Sequence, residues 1–321
     1  MTFKVVATDK VSDSGLRSLL EDGRFDVVFE HDSSSPAFTA AFVSADALIV
    51  RSATTVDAAL LATAPDLKVI GRAGVGVDNI DIPAATDRGI AVVNAPSGNT
   101  IAAAEMTMAL ILATMRHVAA ADASVRAGKW DRALFKGSEL RGRRLGLIGA
   151  GRIGAEVAIR CQSFGMDVII YDPYLSEERA AEIGCRLTDL DEVIRTADVI
   201  SLHVPLTEET RGIIDAKAIS HMKPGTYVVN ASRGGVVGEA DLAAALHAGH
   251  LGGAGLDVYE DEPLDDASPL RSAPNLTLTP HLGASTVEAQ EHVAVEVAAN
   301  VAAVLVDGDL STALNKDRLS H

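Results

Sequence analysis

The stretch at residues 145–154 reads LGLIGAGRIG. An apolar strand pattern runs directly into Gly149, Gly151 and Gly154, and a helical pattern starts at the same point. In such a strand–turn–helix unit the first glycine permits the tight turn, the second leaves room for a pyrophosphate beside the backbone, and the third lets helix and strand pack closely. The stretch therefore predicts a parallel α/β domain that binds a dinucleotide.

The residues around this turn support the same interpretation. The N terminus of the helix, at Arg152 and Ile153, presents N–H groups and a positive dipole end to phosphates. The next strand, DVIIYD, ends at Asp172. A carboxylate there accepts hydrogen bonds from ribose hydroxyls and repels the 2′-phosphate of NADP, which favours NAD. The alternative is a glycine turn in a non-binding α/β domain, with Asp172 as an ordinary surface residue.

Length and charge limit the possible classes of protein. The chain has 321 residues, which predicts two domains, and 48% of them are hydrophobic. Its 28 basic and 44 acidic residues give a net charge of −16, which argues against nucleic acid or an anionic membrane as a partner. A small anionic substrate remains compatible, because screening confines the field of distant charges to roughly 10 Å.

The sequence shows no pattern typical of a signal peptide, a membrane-spanning helix or a disulfide framework. The start, MTFKVVATDK, lacks a basic leader before an apolar run, and the most apolar stretch, 101–115, is too short to span a bilayer. Cys161 and Cys185 are too few for a disulfide framework. We therefore expect a cytoplasmic protein that has no membrane segment and no bound metal.

Strand and helix patterns alternate along the whole chain, which predicts parallel sheets with helices on both faces. We expect an α/β fold of two Rossmann-like or flavodoxin-like doubly wound domains with a cleft between them: a discontinuous substrate-binding domain at 1–98 and 290–321, and an NAD-binding Rossmann domain at 99–289. One long helix is predicted at about 100–120. Ser285 and Glu288 predict a capping box for the last helix. The predicted strands are 3–8, 26–29, 46–51, 68–71, 90–93, 145–149, 167–171, 198–202, 226–230, 254–258 and 276–279.

Polar residues follow the strands of the second block, where open α/β sheets bind their ligands. Arg233, Glu262 and His281 each come after a different strand. Oxidation of an alcohol by hydride transfer needs a base, and histidine suits neutral pH. A carboxylate raises the pKa of such a histidine, and an arginine can bind a substrate carboxylate through two parallel hydrogen bonds. For His281 alone, a loop histidine with a structural hydrogen bond is the simpler alternative.

Several longer segments resemble the D-2-hydroxyacid dehydrogenase family over nearly the whole chain. Within it the sequence is most similar to the members that act on phosphoglycerate. The resemblance is carried by VRSATTV at 50–56, GRAGVGVDNID at 71–81, NAPSGNTIAAAE at 94–105, and the segments NASRGGVV, GLDVYEDEP and PHLGAST.

The resemblance implies a role for each matching residue. Arg233 would bind the substrate carboxylate and carbonyl, His281 would be the acid/base, and Glu262 would pair with His281. Arg51 and Arg72 in the two matching loops of the first block would bind the substrate's second anionic group, with Gly74 in the second loop and Asn99 near by as further substrate-binding residues. Together with the strand-end positions, the residues expected to line NAD are Gly149, Gly151, Arg152, Ile153, Gly154, Asp172, His203, Val204, Pro205, Ala231, Ser232, Asp257, Gly283 and, from the other domain, Val75.

The resemblance also implies an activity, the NAD-dependent oxidation of 3-phospho-D-glycerate at the entry to serine synthesis. The main alternative is a glyoxylate or hydroxypyruvate reductase, or another D-2-hydroxyacid dehydrogenase. A more distant alternative is an NAD-sensing corepressor-like protein.

Three positions depart from the family: Gly238 stands where Asp is usual, and Val75 and Val204 where threonine is frequent. The helix predicted at about 100–120, apolar on more than one face, suggests a homodimer through the region 100–130. The chain ends soon after its last long helix, so we expect a short form without a regulatory domain.

Overall fold

The computed structural model describes residues 2–319. The chain forms two compact units, one from the residues up to Thr100 together with those from Ala284 onward, the other from Ile101–Gly283. The first division falls close to the predicted boundary at 98/99. The second comes earlier than the predicted 289/290, because the loop that leads into the last long helix belongs to the first unit.

The first unit contains a five-stranded sheet. Its strands are Phe3–Ala7 (β1), Phe25–Phe29 (β2), Ala47–Val50 (β3), Val69–Arg72 (β4) and Ala91–Asn94 (β5). They lie in the order β2-β1-β3-β4-β5, and every neighbouring pair is parallel. This is the flavodoxin-like doubly wound order. The central strands are short apolar runs that are buried on both faces, as parallel sheets require.

Helices cover both faces of this sheet. They are Arg17–Leu20 (α1), Pro36–Phe42 (α2), Ala58–Ala62 (α3), Ile82–Asp87 (α4), Val287–Ala302 (α12, continued by a π-helical turn at Ala303–Asp307) and Lys316–Leu319 (α13). One face packs against α12 through Val293, Val297 and Val301. A Cβ atom on Gly71 of β4 would lie 2.7 Å from both Val297 and Val301, so this glycine allows the helix to approach the sheet closely.

The segment Val287–Asp307 is long and apolar enough to cross a membrane by composition alone. Its buried face, however, packs on the first sheet. That is the arrangement of a core helix in an α/β domain.

The second unit contains a seven-stranded parallel sheet. Its strands are Arg144–Ile148 (β6), Asp167–Tyr171 (β7), Arg186–Leu187 (β8), Val199–Leu202 (β9), Tyr227–Asn230 (β10), Gly253–Leu256 (β11) and Leu276–Leu278 (β12). They lie in the order β12-β11-β10-β9-β6-β7-β8. Counted from β6, this is the Rossmann order, with an additional strand, β12, at one edge. The strand order reverses between β6 and β9, so ligands are expected beyond their carboxyl ends.

Two apolar cores enclose the second sheet. The helices around it are Thr100–Met115 (α5), Val118–Arg126 (α6), Arg152–Ser163 (α7), Glu177–Glu182 (α8), Leu190–Thr196 (α9), Ala216–His221 (α10) and Glu239–His247 (α11), with 3₁₀ turns at Arg132–Phe135 and Pro269–Ser272. Helices α5 and α7 contribute Met108, Ile111 and Val157 to the core on one face, while α9 and α11 contribute Val193 and Leu242 to the other.

The predicted strands are all present, with ends shifted by at most two residues, but two helix predictions are wrong. The single helix expected at 100–120 is two helices, α5 and α6, at 63° to each other. His117 between them has the left-handed φ of 54°, which ends an α-helix. The last helix is capped by Thr286, whose side chain accepts from the Ala289 N–H, and not by Ser285. Strand β8 was not predicted.

Candidate active site

The centre of the site in the second unit is a paired histidine and carboxylate. Nδ1 of His281 lies 2.7 Å from Oε2 of Glu262, and the other carboxylate oxygen accepts the Tyr259 N–H at 3.2 Å. An ionised carboxylate can only accept, so Nδ1 of His281 carries the proton and Nε2 is the nitrogen that titrates. Both side chains keep solvent access, with 45% of His281 and 36% of Glu262 exposed.

Each member of the pair favours the charged form of the other, so both pKa values are shifted. The hydrogen bond to Glu262 raises the pKa of His281 above its ordinary value, against the opposing effects of burial and of the Arg233 charge. Burial opposes ionisation of Glu262, but the hydrogen bond and the charges of His281 and Arg233 lower its pKa below the usual carboxyl value. A histidine poised in this way can take and return a proton near neutral pH.

The loop that carries His281 is held by Asp257, which has no exposed surface. One oxygen of this carboxylate accepts from the Thr279 hydroxyl at 2.6 Å and the Leu282 N–H at 2.7 Å, and the other accepts from the Gly283 N–H at 2.8 Å. These bonds position His281 at a φ of 54°. Contact of Asp257 with a cofactor stays a prediction; what the structure shows is a positioning role.

Arg233 lies in the turn after β10 and reaches the same site. Its positive charge lowers the pKa of both Glu262 and His281. The Asn230 side chain fixes the turn by donating to the Arg233 carbonyl at 2.7 Å. A Cβ on Gly234 would lie 1.7 Å from the Tyr259 carbonyl oxygen, so only glycine lets this turn approach the Glu262 loop.

The glycine turn after β6 fits a dinucleotide. Gly149 has a φ of +87°, and a Cβ there would lie 2.5 Å from the His203 carbonyl oxygen. A Cβ on Gly154 would lie 2.5 Å from the Gly149 carbonyl oxygen, which explains why helix α7 can start so close to the strand. At Gly151, the N-cap of α7, a Cβ would meet nothing within 4 Å. This open space beside a glycine-capped helix N terminus suits a pyrophosphate.

Asp172 and His203 flank this turn. Asp172 accepts hydrogen bonds from the N–H groups of Ala150 and Tyr174, both at 2.9 Å, so the carboxylate is fixed against the glycine turn. Nε2 of His203 lies 2.9 Å from Ser201 Oγ, and burial lowers the pKa of this histidine to about 4. His203 is therefore neutral at physiological pH.

The other predicted cofactor residues of this unit follow β6, β9, β10 and β12 at the same sheet edge: Arg152, Ile153, Val204, Pro205, Ala231, Ser232 and Gly283.

The predicted substrate residues other than Arg233 lie in the first unit. Arg51 directly follows β3, and Arg72 ends β4, where it pairs in register with Val50. Gly74 has a φ of +151°, which favours glycine, and a Cβ there would have to displace the Arg72 guanidinium, since it would lie 1.5 Å from one of its nitrogens. Among the described residues, Asn99 Oδ1 is buried without a hydrogen-bond partner. The two arginines thus occupy adjacent strand ends of one sheet.

Further positioning residues were missed from the sequence. Asn230 binds Arg233, and Asn94 donates to the Val75 carbonyl at 2.6 Å. Asn230 ends a strand and is followed by Ala-Ser, and its Oδ1 accepts from the Ser232 N–H at 3.0 Å, which is an Asx-type turn. That local pattern was available in the sequence. The bond from Asn94 to Val75 joins the end of β5 to the loop after β4 and has no local signature.

Comparison with known proteins identifies the family. Residues 108–283 match the model of the D-isomer specific 2-hydroxyacid dehydrogenase, NAD binding domain. The chain is 47% identical over 313 residues to a D-3-phosphoglycerate dehydrogenase of Mycobacterium leprae, covering 98% of this chain and 59% of that protein. Among solved structures, the TT0316 protein of Thermus thermophilus superposes with a TM-score of 0.88 at 35% identity, covering 97% of this chain and 100% of that one.

A D-lactate dehydrogenase of Aquifex aeolicus, solved with NAD and lactic acid, superposes with a TM-score of 0.82 at 32% identity, covering 96% of this chain and 97% of that one. The chain belongs to the D-isomer specific 2-hydroxyacid dehydrogenase family, and its second unit contains the NAD binding domain of that family. Curated relatives at 45–48% identity over nearly the full chain are named D-3-phosphoglycerate dehydrogenase, and the chain spans 56–59% of their length.

Proposed function

We propose that this chain oxidises 3-phospho-D-glycerate to 3-phosphooxypyruvate with NAD⁺, the step that opens L-serine synthesis. The observation that carries the proposal is the hydrogen-bonded pair of His281 and Glu262, whose pKa values the Arg233 charge also affects. A phosphorylated substrate needs more positive charge than Arg233 supplies, and Arg51 and Arg72 at adjacent strand ends provide it. The names of the curated relatives support the same substrate.

Each residue has a definite part in this reaction. Bound NAD⁺ supplies the acceptor for the hydride that leaves C2. Nε2 of His281 takes the proton of the C2 hydroxyl, because Nδ1 is committed to Glu262. The Glu262 carboxylate stabilises the imidazolium that results. Arg233 binds the substrate carboxylate through two parallel hydrogen bonds. His281 then releases its proton to solvent, so the products are 3-phosphooxypyruvate, NADH and H⁺.

A location in the cytoplasm belongs to this proposal. Both cysteines are free thiols. Burial raises the pKa of Cys161 to about 12 and that of Cys185 to about 11, so both thiols stay protonated. Free structural thiols fit a reducing compartment.

Absorbance of the reduced nicotinamide tests the function directly at neutral to alkaline pH. The assay compares 3-phospho-D-glycerate, glycerate, D-lactate and glycolate, each with NAD⁺ and with NADP⁺. We expect the highest kcat/KM for 3-phospho-D-glycerate with NAD⁺. Equal turnover of glycolate would contradict the proposed substrate. Equal use of NADP⁺ would contradict the role of Asp172.

Arg51→Ala separates a phosphorylated substrate from an unphosphorylated one. Removing a hydrogen-bonding partner of a charged group costs about 1.5–3 kcal/mol, so kcat/KM for 3-phospho-D-glycerate should fall about 10- to 100-fold. Reduction of glyoxylate, which has no phosphate, should change little. Arg17→Ala is the matched control, because Arg17 is an exposed arginine of the same unit that pairs with Glu21 at the surface. Equal losses on both substrates would remove the phosphate role of Arg51.

We also propose a homodimer formed through the region 100–130 and the turn that follows it. Large apolar side chains are exposed there, including Trp130 at 76% and Leu134 at 72%. Exposed apolar groups of this size mark contact surfaces in soluble proteins. Light scattering should give twice the chain mass for the wild type and a lower mass for Leu134→Asp. Tyr174→Asp is the control, since Tyr174 is 97% exposed elsewhere in the same unit. A wild type of single-chain mass would refute the dimer.

A further inference from the structure

The segment 51–54, which contains Arg51, is held by a carboxylate from a distant loop. Oδ2 of Asp9 accepts the backbone N–H groups of Arg51 at 2.9 Å and Thr54 at 3.0 Å. Its Oδ1 accepts the Thr54 hydroxyl at 2.6 Å. Asp9 follows β1, whereas Arg51 follows β3, so these bonds join two loops at the carboxyl edge of the first sheet.

A second side chain holds the other side of the same segment. Nδ2 of Asn79 donates to the carbonyl oxygen of Arg51 at 2.8 Å and to that of Thr54 at 2.6 Å. Two side chains, from the loops after β1 and β4, therefore satisfy the backbone N–H and C=O groups of both Arg51 and Thr54. Val56 continues the attachment, since its N–H donates to the Asn79 carbonyl at 2.8 Å. The Arg51 backbone is thus fixed from both sides.

The Asp9 turn has an unusual backbone. Asp9 and its neighbour Lys10 both have a left-handed φ, of 58° and 53°. Left-handed geometry costs roughly 1–2 kcal/mol per residue other than glycine, with Asp and Asn the most tolerant. Such strained conformations persist where the surrounding structure determines them, and they cluster at ligand sites.

A comparable carboxylate lies at the opposite edge of the same sheet. Asp46 accepts the Lys4 N–H at 2.9 Å and pairs with Lys68 at 2.8 Å. It connects neighbouring strands as Asp9 does, but at the amino ends of the strands, where doubly wound sheets do not bind ligands. Asp46 therefore serves as a control for Asp9: its carboxylate connects strands of the same sheet but lies away from the expected ligand site.

We infer that Asp9 and Asn79 are positioning residues for recognition of the substrate's phosphate, because they fix the backbone of Arg51. The inference rests on the proposed function, in which Arg51 binds that phosphate. With its peptide groups fixed on both sides, the Arg51 guanidinium searches fewer conformations, which lowers the entropy cost of binding. Loss of either side chain weakens binding of the phosphorylated substrate and leaves the acid/base chemistry intact.

Asp9→Gly is the informative variant, because glycine adopts the left-handed φ freely, so the carboxylate is lost without added backbone strain. We expect the KM for 3-phospho-D-glycerate to rise about tenfold, the effect of losing about one net hydrogen bond to a charged group. The kcat and the KM for NAD⁺ should stay within about twofold of the wild-type values, which is small beside such a loss. Protection against thermal unfolding by 3-phospho-D-glycerate should need a correspondingly higher concentration.

Two further variants make the test decisive. Asp9→Asn keeps a left-handed-tolerant residue and an oxygen acceptor for the two N–H groups, so it should restore the KM. Asp46→Ala should lower thermal stability without changing the KM. If Asp9→Gly destabilises like Asp46→Ala but keeps the wild-type KM, while Arg51→Ala impairs phosphoglycerate turnover, the inference is wrong and the function stands. A wild type inactive on 3-phospho-D-glycerate overturns both.

Discussion

His281→Asn should lower kcat for oxidation of 3-phospho-D-glycerate by about 10²- to 10⁴-fold, the usual contribution of a general base. Nε2 of His281 is the nitrogen available to take the hydroxyl proton, since Nδ1 binds Glu262 at 2.7 Å. Asparagine cannot titrate in this range. It is preferred over alanine because residue 281 has a φ of 54°, and asparagine tolerates left-handed geometry.

The control for this variant is His117→Asn. His117 is a histidine of the same unit with the same φ of 54°, but it separates α5 from α6, outside the segments that carry Arg233, Glu262 and His281. We expect near wild-type kcat for it, and unchanged affinity for NAD⁺ in both variants. A His281→Asn enzyme with kcat within tenfold of the wild type would show that another group removes the proton.

Arg233→Lys should lower kcat/KM by about 10²-fold, although the positive charge is kept. Lysine lacks the planar fork that binds a carboxylate through two parallel bonds, and each charge-assisted bond contributes about 1.5–3 kcal/mol. The turn itself should survive, because Asn230 binds the backbone carbonyl of Arg233 and Gly234 packs on Tyr259. The loss should therefore reflect substrate binding and not local unfolding.

The substrate dependence of this loss separates Arg233 from Arg51. A carboxylate is present in both 3-phospho-D-glycerate and glyoxylate, so Arg233→Lys should impair both reactions about equally, whereas Arg51→Ala should be selective. Arg195→Lys is the control, since Arg195 forms an exposed surface pair with Asp191 on α9. A loss with Arg233→Lys on phosphoglycerate alone would move the carboxylate role to another residue.

Much of the fold was predictable because it depends on local pattern. Apolar runs ending in glycine or polar residues indicated the strands, and LGLIGAGRIG indicated the turn between β6 and α7. The break at His117 was missed, because the sequence has no glycine or proline there and its left-handed φ is not encoded by a local breaker. The strand Arg186–Leu187 is too short to leave a periodic signal.

The candidate site was predictable where position along a strand determines position in space. Arg233, Glu262 and His281 follow parallel strands, and the carboxyl ends of such strands share one edge of the sheet. The residues that fix these groups were not predictable in the same way. Asp257 binds a loop more than twenty residues later, and Asp9 binds Arg51 across 42 positions. Hydrogen bonds between distant loops depend on the folded structure, so no local pattern indicates them.

The central claim is that Arg233, Glu262 and His281 act on one another in a single site. The most direct test is the pKa of His281 measured by nuclear magnetic resonance, with its signals assigned by their absence in His281→Asn. Glu262→Gln should lower this pKa, because the Glu262 hydrogen bond raises it, and Arg233→Gln should raise it, because the Arg233 charge lowers it. Opposite shifts in the two variants would support the account. A His281 pKa unchanged by both substitutions would contradict it.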